Sequence, residues 1–161
     1  MKIRTGFVSN SSSSSFVVLL NEVPGSVDET IKLLFDRGQE KYEAPYDNTS
    51  YDLEEVAEEV LKQLRVGREL TEDDVVNVLC SGWLPGLDLD DFTDEKHSLD
   101  FKSYEEAARR LARERLRDLL TKHPDKKRLF RLVFSDNTSF GGALEHGNLL
   151  KNVPHVKVSH H

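Results

Sequence analysis

The β-rich apolar segments of this chain stand at its two ends, and most of what lies between them reads as helix. Residues 16–20, Phe-Val-Val-Leu-Leu, form an unbroken apolar run with the character of a buried strand. Residues 128–134 carry Leu129, Phe130, Leu132, Val133 and Phe134 in a short, β-rich run, which favours strand over helix. Residues 153–159 are a third candidate, with Val156 and Val158 on one face. Residues 135–142 have turn chemistry and are predicted to lead into another short strand over 140–144. Strands at both ends must find backbone partners, and the nearest solution is to pair with each other. The predicted class is α+β: a small, mainly antiparallel sheet joining the N-terminal strand to the C-terminal ones, with about four helices packed on one of its faces.

Four helix starts share one signature, a hydroxyl N-cap followed three residues later by an acid that can return a hydrogen bond. Ser26 with Glu29 predicts a helix to about residue 37, stopped by Gly38. Thr49 with Asp52 opens a second, in which Leu53, Val56, Ala57, Val60, Leu61 and Leu64 keep helical spacing until Gly67. Thr71 with Asp74 opens a third, to about Cys80. Ser103 with Glu106 opens the longest, to about Lys122, before Pro124. Residues 81–100 remain as a long loop containing Trp83 and an acidic stretch.

At 161 residues, 37% apolar and 32% charged, the chain is sized for one domain, residues 1–161, with its own core. No apolar run approaches the ~20 residues of a membrane helix, so no membrane partner is expected. Lys2 and Arg4 are followed by serines where a signal peptide would have its apolar region, which argues against secretion. Cys80 is the sole cysteine, so no internal disulfide can form and a cytoplasmic, reducing setting is favoured. It falls in an apolar-periodic stretch that predicts a buried structural thiol.

The formal charge of −7 hides a polarised chain. Residues 42–100 hold 17 Asp and Glu against four Lys and Arg, whereas residues 102–131 hold 11 basic against five acidic side chains. Neighbouring acidic and basic helices can neutralise one another, or one face can serve recognition. Within the basic segment, Arg109, Arg110, Arg113 and Arg117 could meet phosphates, but acids interleave and Glu105–Arg109 is a ready i,i+4 pair. No aromatic side chain stands between Arg109 and Arg117 for base stacking, so nucleic acid is disfavoured as a partner.

The opening carries the most distinctive residues: Met1 to Asn10, then Ser11, Ser12, Ser13, Ser14 and Ser15, then Phe16. The stretch MKIRTGFVSNSSSSSFVV resembles the start of a group of bacterial and phage proteins with no assigned activity. The run from Phe134 to Thr138, then Leu144 to Gly147, Pro154-His155 and Ser159 to His161, is similar to the far end of some of its members. The resemblance implies a shared role and transfers no catalytic residue.

Read from its residues, the serine run is a loop anchored between Val8 and the first strand. Asn10 and Ser11 to Ser15 could bind a ligand such as phosphate through hydroxyls and amides, or accept a modification, although no nucleotide-loop motif is present. Asp136 and Asn137 follow a strand, where loop-borne ligand-binding groups are often displayed, and also suit an ordinary turn. Glu145, His146, His155, His160 and His161 offer carboxylate and imidazole donors for zinc, manganese or iron, although no spacing matches a known metal motif. If the segment is strand, Glu145 and His146 face apart. The acidic residues Asp88, Asp90, Asp91, Asp94 and Glu95 lack the glycine and terminal acid of a calcium loop. Trp83, beside Leu84, Pro85 and Leu87, either anchors a partner or plugs the core.

No complete catalytic motif is present. The leading expectation is a small binding or regulatory module whose partner is a protein or small-molecule ligand. The alternative is a metal-dependent or phosphate-handling enzyme, with a divalent ion as cofactor and its site between the serine loop and the C-terminal histidines. A third possibility is an inhibitor whose acidic residues 42–100 mimic nucleic acid.

Overall fold

The computed structural model describes residues 13–46, 48–95 and 98–160, the side chain of His160 excepted. Asn10, Ser11, Ser12 and His161 therefore lie outside the described residues.

The two ends of the chain do meet in one sheet. Strand β1, Ser13–Leu20, is central, flanked by β4, Arg128–Ser135, and β5, His155–His160. Both pairings are antiparallel: Phe16 stands opposite Leu132 of β4 and Lys157 of β5. Ser13, Ser14 and Ser15 are thus strand residues, and the serine run continues into the sheet. This α+β architecture matches the expected class.

Helices cover both faces of the sheet, not one. Phe16, Val18 and Leu20 pack with Leu34 of α1 (Val27–Leu34), Val56, Val60 and Leu64 of α2 (Leu53–Val66), and Ala143 and Leu144 of α5 (Ser139–His146). Val17 and Leu19 point the other way, into Val75 and Leu79 of α3 (Glu72–Cys80) and Ala108, Ala112 and Leu116 of α4 (Phe101–Lys122). The reason was visible in the run itself. A strand with polar residues at alternate positions can face water on one side, but five apolar residues in a row require cover on both.

Several element boundaries also differ. A small hairpin, β2 (Lys41–Glu43) with β3 (Ser50–Asp52), occupies the segment where Thr49 was expected to cap α2. Asp52 becomes the N-cap residue, and its carboxylate pairs with Lys41 across the hairpin. Helix α4 begins three residues early, with Asp100 in place of Ser103 as N-cap, because the Asp100 carboxylate accepts from both the amide and the hydroxyl of Ser103. Helix α1 stops at Leu34, and Gly38, with φ +85°, serves the following turn instead. The Thr71–Asp74 capping box forms as expected, with both reciprocal hydrogen bonds. The largest revision is residues 140–144: they are helix within α5, not strand. Thr138 is its N-cap, accepting from the amide of Gly141 at 2.9 Å.

Side chains and loops guard the outer strands. The Gln63 amide group of α2 lies against Val133 of β4, accepting from its N–H at 2.8 Å and donating to its carbonyl at 2.9 Å. One side chain thereby supplies the two bonds a further strand would make. On β5, the N–H of Trp83 donates to the Ser159 carbonyl at 3.0 Å. Cys80 is half-buried beside the α3–α4 core, and burial pushes its thiol up, away from the reactive thiolate. None of the described helices is long and apolar enough to cross a membrane.

Candidate functional site

The carboxyl end of β4, helix α5 and the turn between β2 and β3 converge on one cleft. Gly141 allows the close approach. A Cβ at this position would stand 2.0 Å from the Ser135 carbonyl oxygen, so only glycine lets the first turn of α5 lie against the end of β4. At the other end of the helix, a Cβ on Gly147 would meet the Tyr42 hydroxyl at 1.9 Å. Tyr42, buried in β2, donates from that hydroxyl to the Ala143 carbonyl at 2.8 Å. Burial drives its phenol up to about 12. Tyr51 of β3 packs edge-on against Phe140 at 5.0 Å, so the hairpin is clamped to α5 by two aromatic residues.

This packing turns the last residues of α5 toward the sheet. Glu145 is only 1% exposed, an unusual place for a carboxyl group unless it is hydrogen-bonded or compensated by charge. Ser14 of β1, itself fully buried, donates from Oγ to Glu145 Oε1 at 2.9 Å. The second oxygen, Oε2, is 3.8 Å from Nε2 of His146. His146 is half-buried, with its ring edge-on to Tyr46 at 5.8 Å. Asp136 sits on the turn leaving β4 and completes the group: one ligand atom each from Asp136, Glu145 and His146 lies within 4.8 Å of the others. Lys157 of β5 donates to the Glu145 backbone carbonyl at 3.1 Å while its ammonium lies over the Phe16 ring at 5.5 Å.

The group opens into a cleft of about 410 Å³ walled by Pro45, Tyr46, Thr138 and Ser139. Two carboxylates and an imidazole are a donor set for zinc, manganese or iron(II). Donor atoms bound at ~2.1 Å to one ion stand roughly 3.0–4.2 Å apart in tetrahedral or octahedral geometry. Closing from 4.8 Å needs about an ångström of side-chain rotation, within reach of the exposed Asp136 and half-buried His146. Three protein donors would leave further coordination positions for water or a ligand.

The sequence-derived candidates divide as follows. Ser14, Asp136, Glu145 and His146 meet in one place. Ser15 is buried on the opposite face of β1, where its hydroxyl accepts from the Arg131 guanidinium at 2.7 and 3.0 Å. Ser13 is half-buried at the start of the strand, opposite Ser135. Asn137 is exposed in the turn, its N–H donating to Ser135 Oγ at 3.4 Å. His155 is not part of the group: the register sets it opposite Val18, four residues along β1 from Ser14, and its Nδ1 lies 2.8 Å from the Val153 carbonyl oxygen. The backbone of His160 pairs with Ser13, and its side chain lies outside the described residues. Glu145 and His146, expected to face apart as strand neighbours, instead close the last turn of a helix, which brings their polar ends to one side.

Tyr42, Tyr46 and Thr138 were missed as parts of this site. For Thr138 a signal existed: a hydroxyl residue at the head of an eight-residue segment is an N-cap pattern, although Gly141 and Gly142 masked it as turn chemistry. For the tyrosines no local signal existed, because the hairpin reaches α5 across about 100 residues. No protein family, no curated protein and no solved structure matches this chain.

Proposed function

We propose that this protein is a small cytosolic binding module that holds one divalent transition-metal ion between Asp136, Glu145 and His146. The observation that carries the reading is the near-complete burial of Glu145 beside an imidazole and a second carboxylate at the mouth of a cleft. A divalent transition-metal ion takes both the oxygen and the nitrogen donors that meet there. The single cysteine fits a reducing compartment.

The test is zinc and manganese binding by calorimetry, with elemental analysis of the purified untagged protein. One equivalent is expected to bind. Glu145→Gln and His146→Ala should each weaken it by at least about tenfold without loss of helical circular dichroism. A double His160→Ala/His161→Ala variant should bind as the parent does. Loss of binding in that variant alone would move the ion to the chain end and refute the assignment.

The open cleft favours a second reading, metal-dependent hydrolysis at the same group. Manganese-dependent turnover of p-nitrophenyl phosphate that disappears in His146→Ala would support it, and its absence would leave the binding reading alone.

A further inference from the structure

The loop between α3 and α4 exposes the chain's only tryptophan, and it does so from a fastened frame. Trp83 is 62% exposed and Leu89 is 51% exposed. The loop beneath them is tied at several points. The N–H of Trp83 is bonded to β5, Leu84 is buried, and the Arg115 guanidinium donates to the Pro85 carbonyl. Gly86, at φ +92°, closes the turn in which the Leu87 N–H meets the Leu84 carbonyl at 3.2 Å. A 3-10 turn, Leu89–Phe92, follows, started by Asp88 Oδ1 accepting from the Asp90 N–H at 3.0 Å. Phe92 is pinned edge-on to Tyr104 of α4 at 5.6 Å.

Trp83 and Leu89 line one groove of about 610 Å³ together with Asp88, Asp90, Asp91 and Tyr104. No lysine or arginine is among the described residues that line it. A large aromatic side chain held out by an ordered loop loses little freedom when it is covered, the condition under which tryptophan dominates binding. The rim selects the occupant by charge. Three aspartates around an apolar floor repel an anionic lipid surface or nucleic acid and attract a cationic chain.

We propose that this groove is a docking site for a basic protein segment, an apolar side chain flanked by arginine or lysine, which seats the apolar residue against Trp83 and Leu89 and its cations on Asp88, Asp90 and Asp91. The surface is separate from the Asp136–Glu145–His146 group and stands or falls independently of it.

The lone tryptophan makes the test direct. The intact protein is titrated with a short, tryptophan-free, fluorescein-labelled peptide carrying arginines on either side of a Leu-Phe pair. Peptide anisotropy reports binding, and an unlabelled copy of the peptide is used to follow Trp83 emission. The expected result is saturable binding that weakens with added salt and shifts Trp83 emission to the blue. Trp83→Ala should weaken binding at least tenfold. The triple variant Asp88→Asn/Asp90→Asn/Asp91→Asn should weaken it by about tenfold. A control, Glu54→Gln/Glu55→Gln/Glu58→Gln on the exposed side of α2, removes the same charge and should bind as the parent does. Equal weakening in the control would reduce the effect to net charge and overturn the proposal. No binding would overturn it as well. So would a blue shift on anionic phosphatidylglycerol vesicles in place of the peptide, or a shift that follows protein concentration alone, which would name a membrane or a second copy as the occupant.

Discussion

Replacing Ser14 with alanine removes a hydroxyl whose Oγ, fully buried in the central strand, donates to Glu145 Oε1 at 2.9 Å. A hydrogen bond to a charged acceptor contributes about 1.5–3 kcal/mol, more than one between neutral groups. For a chain of this length each kcal/mol moves the midpoint by ~2–4 °C, so Ser14→Ala should lower Tm by roughly 3–12 °C. Glu145→Leu attacks the same bond from the other side. It keeps much of the volume but leaves the buried Ser14 hydroxyl without this acceptor. The bond from Lys157 survives, because it goes to the Glu145 backbone carbonyl.

The decisive quantity is the double variant. Removing both polar partners leaves neither half stranded, so Ser14→Ala/Glu145→Leu should cost at least ~1 kcal/mol less than the sum of the singles. Interactions that Glu145 makes with other residues cancel around the cycle. The assay is urea denaturation of all four proteins in a chelating buffer, which removes stabilisation by bound metal. Additivity within about 0.5 kcal/mol would refute the claim that these residues act as a pair across the sheet–helix interface.

Three further outcomes follow from the same geometry. Gly141→Ala should destabilise by about 1–3 kcal/mol in denaturant titrations despite alanine's higher helix propensity, because its Cβ must displace the Ser135 carbonyl; an unchanged or raised midpoint would show that α5 does not lie so close to β4. One of the four tyrosines, Tyr42, should ionise near 12 in a phenolate absorbance titration, since burial raises it; the stability it contributes is present below about pH 10 and lost as pH climbs through 12, and Tyr42→Phe should flatten that alkaline limb. Asp74 is held at about 2, first by the Arg68 guanidinium and then by the amide and hydroxyl of Thr71, so its contribution is present above about pH 4 and lost as pH falls through 2; a carboxyl carbon-13 titration should find that midpoint, and Arg68→Ala should raise it.

Much of the fold was legible because it is written in local patterns. The capping box at Thr71 and Asp74 and the apolar stripe of α2 place their helices where short-range hydrogen bonding and burial demand. The strands at the two ends had to pair with each other, and they do. The misreadings came where two local meanings compete. Asp52 could cap a helix as the third residue after Thr49 or as the N-cap itself, and the ion pair with Lys41 in the hairpin favours the second. Gly141 and Gly142 read as a turn because glycine is costly within a helix. That cost is outweighed at Gly141 by a contact with Ser135 that no larger residue allows.

Residue types alone marked Glu145 and His146 as candidate metal donors along with His155, His160 and His161, Asp136 as a ligand-binding candidate, and the serines as polar groups near the C-terminal segments, because imidazole and carboxylate chemistry does not depend on the fold. Only the tertiary structure separated Asp136, Glu145 and His146 from His155 and set Ser14 on Glu145 and Ser15 on Arg131. Alternation along a strand sends neighbouring serines to opposite faces, and what waits on each face is decided by segments more than 100 residues away. Periodicity and capping act over a few residues and can be read along the chain. A site made where β1, β4, α5 and the hairpin converge depends on distances that exist only once the chain has closed on itself.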